Sequence, residues 1–590
     1  MTTRANSIAD KTSVSGKKWI CKEYKTSEIE NVMNKFRLSK MQASILLNRS
    51  VYLDQIENFL RPTFKSLFPD PNSLQNMGSV SNIIVSSIIK KKKIGIIGDY
   101  DVDGATSAAL LYNYFLAIGI EATVFIPDRV KDGYGVKKNA IDFFLKKNIK
   151  IIITLDCGSN DHEALKYAEK KNIEVVIIDH HEIKEKEESL SIINPKSKDD
   201  TSGLDFLCAA GISFLFLVSI NSILRNKNFF EKIKAPNLKN FLDLVAIGTV
   251  CDLVPLRKVN RLFVKAGLEI LNTNVNLGID VLSQKLGLSK KISNVDLAFY
   301  IGPCINSAGR LGEPKLGFEL LTIKNRNTLS DIADRLIVLN NTRKTLQKLS
   351  MEKIIYSHNS QKRLNKVESN FIIEVSETFH KGIIGILASK LVDEKRKPSI
   401  VIAINDLEGY GSIRSVEGMS VTQLIDKLLS LKIIKSGGGH EMAGGFNIAT
   451  KNISELKDYI LQNGNIFFKS KNPFSKVDYI MDTTSIGIED FKSIEQLAPF
   501  GMGNPEPLFL LKNLKINYYK TIGKDNNHIM CTLEDQFGKK IQSVLFNAAN
   551  KKLGQAIKNS NIFDAIGTFN RNNWQGKVFL QFEIKDLISV

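Results

Sequence analysis

The chain has 590 residues, so it is expected to hold about three or four domains, with a cleft between two of them as a natural place for an active site. Its 81 Lys and Arg against 62 Asp and Glu give a formal charge of +19, which suits a polyanionic partner, nucleic acid first, although lysine-rich composition also follows from the base composition of a genome. The six cysteines (Cys21, Cys157, Cys208, Cys251, Cys304, Cys531) include no C-x-x-C pair, which argues against a zinc ribbon or disulfide framework and for a reducing compartment.

In chain order, the first 75 residues read as an N-terminal extension: two short helical patterns, "SEIENVMNKF" and "SKMQASILLNRS", then the loop "RPTFKSLFPDPNSL". The N-terminus has no apolar core of signal-peptide type, and the most apolar run, Cys208 to Ile220, is too short to span a bilayer, so the sequence predicts a soluble, cytoplasmic protein. From Lys91, short apolar runs ("KKKIGIIGDY", "ATVFIP", "IKIIITLDCG", "EVVIIDHH") alternate with helical periods, the pattern of βαβ units around a parallel sheet. The pattern turns helical from Ser202 to about Asn276, and a long charged helix over roughly 328–357 bridges to a second α/β region from about Asn370 to Ser470. The last 115 residues read as short strands divided by turns, hence a small barrel. The expected division is an extension (1–75), a parallel-sheet α/β domain (76–325), a connecting helix (326–365), a second α/β domain (366–472) and a C-terminal β-barrel (473–590).

Acidic residues cluster where an open parallel sheet forms its ligand crevice, at the carboxyl ends of strands. "KIGII" ends in Asp99, Asp101 and Asp103, "IIITL" in Asp156, "EVVII" in Asp179, His180 and His181, and an apolar run ends in Asp252. Uncompensated, this charge would repel strongly. Lysines can supply the missing cation, but carboxylates with one or two imidazoles better match hard divalent ions, Mn²⁺ or Mg²⁺, and two of them fit the ligand count. Extended geometry would point Asp101 and Asp103 to one side, each serving a different ion, with Asp156 bridging. Cys157 and Cys251 beside these acids read as small buried filler.

"GDYDVDGATS", "LDCGS", "IDHH" and Asp252 resemble the four motifs of the DHH phosphoesterase superfamily, and "SGGGHEMAGGF" resembles the glycine-rich motif of its associated DHHA1 domain. With "IPDRVKDGYG", "SAGRLG", "GSIRS" and "LAPFGMGNPEP", the set closely resembles the RecJ-type single-strand-specific exonucleases, over roughly residues 75–590. The resemblance implies metal ligands at Asp101, Asp103, Asp156, His180 and Asp252, with His181 at the scissile phosphate or assisting proton transfer. Some members of the superfamily carry a ligating histidine where this chain has Ile97, which leaves one ion with fewer protein ligands unless Asp99 compensates.

Glycines at Gly438 and Gly439, before His440, let the backbone approach an anion, as a phosphate nest or simply as a turn. The resemblance makes Arg310, Ser412, Arg414, Gly438, Gly439 and His440 the phosphate-binding set, facing the metals across the cleft. Arg129 and Tyr134 either touch substrate or only turn the chain. The barrel resembles an OB-fold that tracks single-stranded DNA, where Tyr518, Tyr519, Phe546 and Trp574 either stack on bases or fill the core. The implied activity is 5′ to 3′ hydrolysis of single-stranded DNA to 5′-mononucleotides in recombination and repair, by a monomer working with a helicase and a single-strand-binding protein. The rivals are an oligoribonuclease or small-phosphoester hydrolase of the same superfamily, a non-catalytic replication factor, and a generic basic surface.

Overall fold

The computed structural model describes residues 4–7, 12–129, 131–183, 191–273, 276–289, 291–362, 370–468, 474–483, 486–559, 562–574 and 577–589. The chain forms two compact units, one of residues 69–254 and 263–471, the other of residues 1–68, 255–262 and 472–590.

In the first unit, strands β1 (Ile94–Gly98), β2 (Ala122–Phe125), β3 (Ile151–Leu155), β4 (Glu174–Ile178) and β5 (Ser191–Ile193) make a wholly parallel sheet in the order β2-β1-β3-β4-β5. β1 and β3 are buried along their whole length, as apolar runs covered on both faces must be. In this order the chain winds away from β1 in opposite directions, so the gap between the ends of β1 and β3 is the switch point where such folds bind ligands. Helices α1 (Met77–Ile89), α2 (Val102–Ala117), α3 (Ala209–Asn226) and α4 (Leu242–Cys251) supply much of its helical core. The sequence predicts an apolar run too short to cross a membrane, whereas α3 has 18 residues and a mean hydropathy of 1.3, enough by length and composition. The difference arises because uncharged Ser219, Asn221 and Ser222 let the helix continue past Ile220; 72% of it is buried, as in a core helix.

The same unit continues through α5 (Gly302–Arg310) and α6 (Arg326–Lys362), the expected long charged helix, into a second sheet. Strands β6 (Ile372–Ser376), β7 (Ser399–Asn405), β8 (Glu408–Arg414), β9 (Ser436–His440) and β10 (Ala443–Ala449) order as β9-β10-β8-β7-β6, and only β6 and β7 run parallel. Helices α7 (Ile384–Lys395) and α8 (Val421–Ser430) pack against it through Leu387, Ala388, Leu424 and Leu428.

The second unit is built on a closed barrel of β11 (Phe509–Ile522), β12 (His528–Glu534), β13 (Lys540–Leu545), β14 (Phe563–Trp574) and β15 (Lys577–Ser589), in which β14 pairs back onto β11. The N-terminal helices Thr26–Phe36 and Lys40–Asn48 share its core: Val32, Met41, Ile45 and Leu46 pack in one cluster with Phe509, Leu511, Ile529 and Phe582. Buried Asp586 on β15 accepts from Trp19 Nε1 at 2.8 Å and Ser13 Oγ at 2.6 Å, which ties the first strand region to the last.

Arg261 holds this unit from the middle of the chain. It is 1% exposed and, among the described residues, has no carboxylate partner. Instead its guanidinium donates to the carbonyls of Phe59 (2.6 Å), Leu497 (2.9 Å), Ala498 (2.7 Å) and Pro499 (3.3 Å), and its Cζ lies 3.9 Å from the Phe59 ring centroid. Burial pulls its pKa down to about 9. A planar five-donor fork fits four carbonyls, and an ammonium does not. Arg261→Met is therefore expected to lower stability by on the order of 3 kcal/mol, with Arg261→Lys only partly better, because buried carbonyls lose charged donors. Urea denaturation with limited proteolysis checks this; an unchanged midpoint in both variants would refute the clamp.

Candidate active site

Asp99 follows β1 directly, Asp156 follows β3, and Asp179, His180 and His181 follow β4. The extended run that the sequence predicts through Asp101 and Asp103 gives way to a helix start. Asp101 caps α2 by accepting from Gly104 N at 3.1 Å, and Asp103 lies in the first turn. The small residues Gly104, Ala105 and Thr106 start the helix at once. A Cβ at Gly104 would lie 2.4 Å from the Asp99 carbonyl oxygen, so only glycine lets the helix begin this close to β1. Asp103 accepts from Ala209 N (2.6 Å) and Ala210 N (3.0 Å), the first two residues of α3. That helix N-terminus stabilises the carboxylate. Gly248 lets α4 approach, since a Cβ there would meet Asp103 Oδ1 at 2.7 Å, and one turn later α4 delivers Asp252.

His180 Nε2 is the meeting point. It lies 3.2 Å from Asp156 Oδ1, 3.6 Å from Asp252 Oδ2 and 3.9 Å from Asp103 Oδ2. Asp156 Oδ1, Asp252 Oδ2, Asp99 Oδ1 and His180 Nε2 are buried and, among the described residues, have no hydrogen-bond partner. Burial holds the imidazole down to about 3, so it is neutral and offers a lone pair, not a compensating charge. Burial and Asp101 raise Asp103 to about 7 and also lift Asp99 and Asp156; burial and Asp103 lift Asp252. Neutral imidazole and carboxylate oxygens that converge on one point, with carboxyls that give up their protons reluctantly unless a positive charge joins them, suit a hard divalent cation. The ligand atoms fall into three overlapping sets, each within 4.8 Å: Asp103, His180 and Asp252; Asp156, His180 and His181; Asp99, Asp101 and Asp156. Asp156 belongs to two of them, and its φ of 63° places a non-glycine residue in the left-handed region at the centre of the site. Ile97 is buried in the core and contributes nothing here, whereas Asp99 faces the cluster.

Asp179 acts differently from the other acids. It accepts from the backbone of His180 (2.7 Å), His181 (3.1 Å) and Ser159 (3.2 Å), and from His181 Nδ1 at 2.8 Å. These donors outweigh its burial and hold it below the usual carboxylate range, while His181 is raised by Asp179 against its own burial. Tyr134, whose role the sequence leaves open, donates its hydroxyl to the Asp156 carbonyl at 3.1 Å and lies 3.0 Å from His181 Nδ1. Its neighbour on that loop, Arg129, lies over the Tyr100 ring at 5.0 Å. Cys157 and Cys251 are pushed up by burial and carry no thiolate.

The second sheet faces the acids. The His440 and His181 rings stack at 6.0 Å with a 21° interplanar angle. Arg414 Nη1 donates to Ser412 Oγ at 3.0 Å and to the Ile413 carbonyl at 2.8 Å, and Arg310 Nη1 donates to the Gly382 carbonyl at 3.1 Å. Burial lowers Arg310, to about 9, and Arg414, and the charge of Arg129 lowers both further. Arg129 thus acts against two buried guanidiniums, partly offset at Arg310 by Asp101, a concentration of positive charge that suits an anion. The glycine-rich stretch departs from the predicted nest: Gly438 and Gly439 lie in β9 and pair with Gly445 and Gly444 of β10. The glycines serve close packing, because a Cβ at Gly439 would lie 2.2 Å from the Ala443 carbonyl oxygen and one at Gly444 2.4 Å from Ile425. Lys196, not singled out by the sequence, contributes positive potential at Asp252, His180 and His440. On the barrel, Tyr518, Tyr519 and Phe546 are exposed, and the Trp574 side chain lies outside the described residues.

Family models match in the expected order: the DHH family, N-terminal domain over 93–249, the DHHA1 domain over 368–463 and the RecJ OB domain over 477–586. The single-stranded-DNA-specific exonuclease RecJ of Bacillus subtilis strain 168 is 27% identical over 576 residues, 96% of this chain and 70% of that protein. The protein of that name from Haemophilus influenzae is 29% identical over 516 residues, covering 85% and 89%. The crystal structure of RecJ in complex with Mn²⁺ from Thermus thermophilus superposes with a TM-score of 0.80 at 23% identity, covering 96% of this chain and 78% of that one. With these three domains in sequence, the chain belongs to the RecJ family of DHH proteins.

Proposed function

We propose that the chain is a metal-dependent exonuclease specific for single-stranded DNA, which hydrolyses phosphodiesters 5′ to 3′ and releases 5′-mononucleotides in recombination and repair. The observation that carries this reading is the pair of buried oxygens on Asp156 and Asp252, without hydrogen-bond partners among the described residues, that face neutral His180, with Asp99 and Asp101 grouped beside Asp156 and guanidiniums close by. The names of the B. subtilis and H. influenzae relatives support the substrate. Asp103, His180 and Asp252 would hold one Mn²⁺ or Mg²⁺ and Asp99, Asp101 and Asp156 a second, with Asp156 also 3.2 Å from His180. Divalent ions there supply Lewis acidity and neutralise charge developing on the phosphoryl oxygens.

The side chains of this protein do the rest. Arg310 and Arg414, with Ser412 positioning Arg414 and Arg129 beside both, hold and orient the phosphates. Asp179 fixes the His181 tautomer with the proton on Nδ1, so Nε2 is left to take or return a proton at the reacting phosphate. His440, stacked on His181, and the tightly paired Gly438 and Gly439 line the opposite wall. The domains we assign are an extension to 75, the DHH domain to 325, the connecting helix to 365, the DHHA1 domain to 472 and the OB-fold to 590. The enzyme works as a cytoplasmic monomer alongside a helicase and a single-strand-binding protein. Because residues 1–68 share a core with 472–590, strand binding by the barrel is tested by substituting Tyr518 and Tyr519, not by truncation.

The deciding experiment follows end-labelled single-stranded and duplex DNA with Mn²⁺, Mg²⁺ or chelator, for wild type and Asp156→Ala. Metal-dependent release of mononucleotides from the 5′ end of single strands, lost in the variant by at least about a hundredfold, is expected. Cleavage confined to short RNA or small phosphoesters, or binding without hydrolysis, would sink the proposal. In thermal melts, Asp156→Asn is expected to raise the midpoint of the metal-free protein, since asparagine keeps the left-handed backbone and removes repulsion, and to lose much of the shift on adding Mn²⁺. A wild type that neither ion stabilises would contradict this. Arg310→Met should weaken strand binding for all sequences and flatten the slope of log K against log salt by about one; an unchanged slope would remove Arg310 from the phosphate grip.

A further inference from the structure

Two exposed aromatic rings adjoin the segment that carries Asp252. Phe299 is 72% exposed and Tyr300 49%, consecutive residues in a π-helical turn, Leu297–Ile301, that runs into α5. Such turns are rare and frequent at functional sites. The turn is seated on the residue before Asp252: the Cys251 thiol donates to the Leu297 carbonyl at 3.5 Å, and a Cβ at Gly302 would lie 2.5 Å from Cys251 Sγ. Leu253, on the other side of Asp252, is also exposed and has a φ of 57°, a left-handed backbone that a leucine adopts only under constraint.

The helix that begins at this turn continues along the acids. Asn306 Oδ1 accepts from Val102 N at 3.2 Å, next to Asp101, and Arg310 ends the helix. Phe299, Pro303, Asn306 and Arg310 recur at helical spacing, so one stripe runs from an exposed ring, past the start of α2, to a guanidinium. We propose that Phe299 and Tyr300 form a stacking platform for unpaired nucleobases of the strand whose phosphodiester lies over the acids. This rests on the phosphodiesterase reading of the site. An unpaired base is the occupant that fits: the strand's phosphates are held at the Arg310 end of the same helix, and an unpaired base has a free π-face. In a duplex those faces are covered by neighbouring pairs, so the platform selects single strands.

The test uses the full chain in chelator, without hydrolysis, and single-stranded oligonucleotides with 2-aminopurine at successive positions, reading quenching and affinity. Wild type is expected to quench the probe at one or two adjacent positions. Phe299→Ala and Tyr300→Ala should lose that quench and bind about tenfold more weakly, while Phe299→Trp and Tyr300→Trp retain both. Leu407→Ala, at an exposed hairpin in the second sheet, should match wild type. Mn²⁺-dependent hydrolysis of methyl p-nitrophenyl phosphate, a diester without a base, should stay within about twofold in the alanine variants. Unchanged quenching and affinity in both alanine variants overturn the proposal, as does parallel loss of the small-diester reaction, which would give the turn a purely structural role. Since stacking is read without metal, the inactive Asp156→Asn protein should still quench, so failure of the hydrolytic reading and failure of the platform are separate results.

Discussion

Asp99, Asp103, Asp156 and Asp179 are buried within one sheet edge, with Asp101 and Asp252 half-buried beside them. Like charges at such separations in a poorly solvated site repel by several kcal/mol. The surrounding fold reads as a response to that repulsion. Asp103 takes the first two amides of α3, Asp101 caps α2, and Asp179 collects three backbone amides and an imidazole. What remains unanswered is the set of oxygens facing His180. A fold that satisfies some carboxylates thoroughly and leaves others bare at one point suits a cation there, which is the physical ground for the proposed metal ligands.

That arrangement depends on close approach of backbones at a few places. β1 and β3 bracket the switch point of the sheet, but α2 reaches Asp99 only because residue 104 lacks a side chain, and α4 reaches Asp103 only because residue 248 does. The same device recurs in the second sheet. Gly411 sits beneath the Phe446 ring, where a Cβ would lie 2.1 Å from its Cζ, and Gly444 sits over Ile425. The glycines of this protein set the distance between layers, and the layers set the distance between acids and guanidiniums.

How much of this was legible in the sequence follows from range. Apolar runs ending in Asp99, Asp156 and Asp179 are local signals, and they identified the parallel sheet, its crevice and the acids in it. The conformation of Asp101 and Asp103 depends on whether the chain continues extended or turns into helix, which Gly104 and the following small residues decide only in the presence of β1. The strand character of Gly437 to Gly439 depends on Gly444 and Gly445 across the hairpin, a partner that glycine's low strand propensity hides. No local pattern joins Val32 and Ile45 to Phe509 and Phe582, because that core is assembled from opposite ends of the chain. Lys196 was obscured for the same reason, and Tyr134 was named without its role being decided: their loops carry no periodicity, and only the fold brings them to Asp252 and His181.

Buried charge takes three forms in this molecule, and comparing them separates structure from chemistry. Arg261 is cationic, 1% exposed and spends four of its five donors on carbonyls, so it is closed to a ligand and acts as a clamp. The acids at His180 are the reverse, with ligand atoms converging and no donors between them. Arg310 and Arg414 lie between these extremes. Each spends one nitrogen on neighbouring groups that hold it in place, a carbonyl for Arg310 and a carbonyl and a hydroxyl for Arg414. A guanidinium has five donors, so each keeps several free while remaining oriented. Near-complete satisfaction is what a structural charge requires, bare convergence is what the proposed metal ligands require, and partial satisfaction is what the proposed phosphate contacts require. Net charge alone makes none of these distinctions, because a basic surface attracts a polyanion without orienting any phosphate.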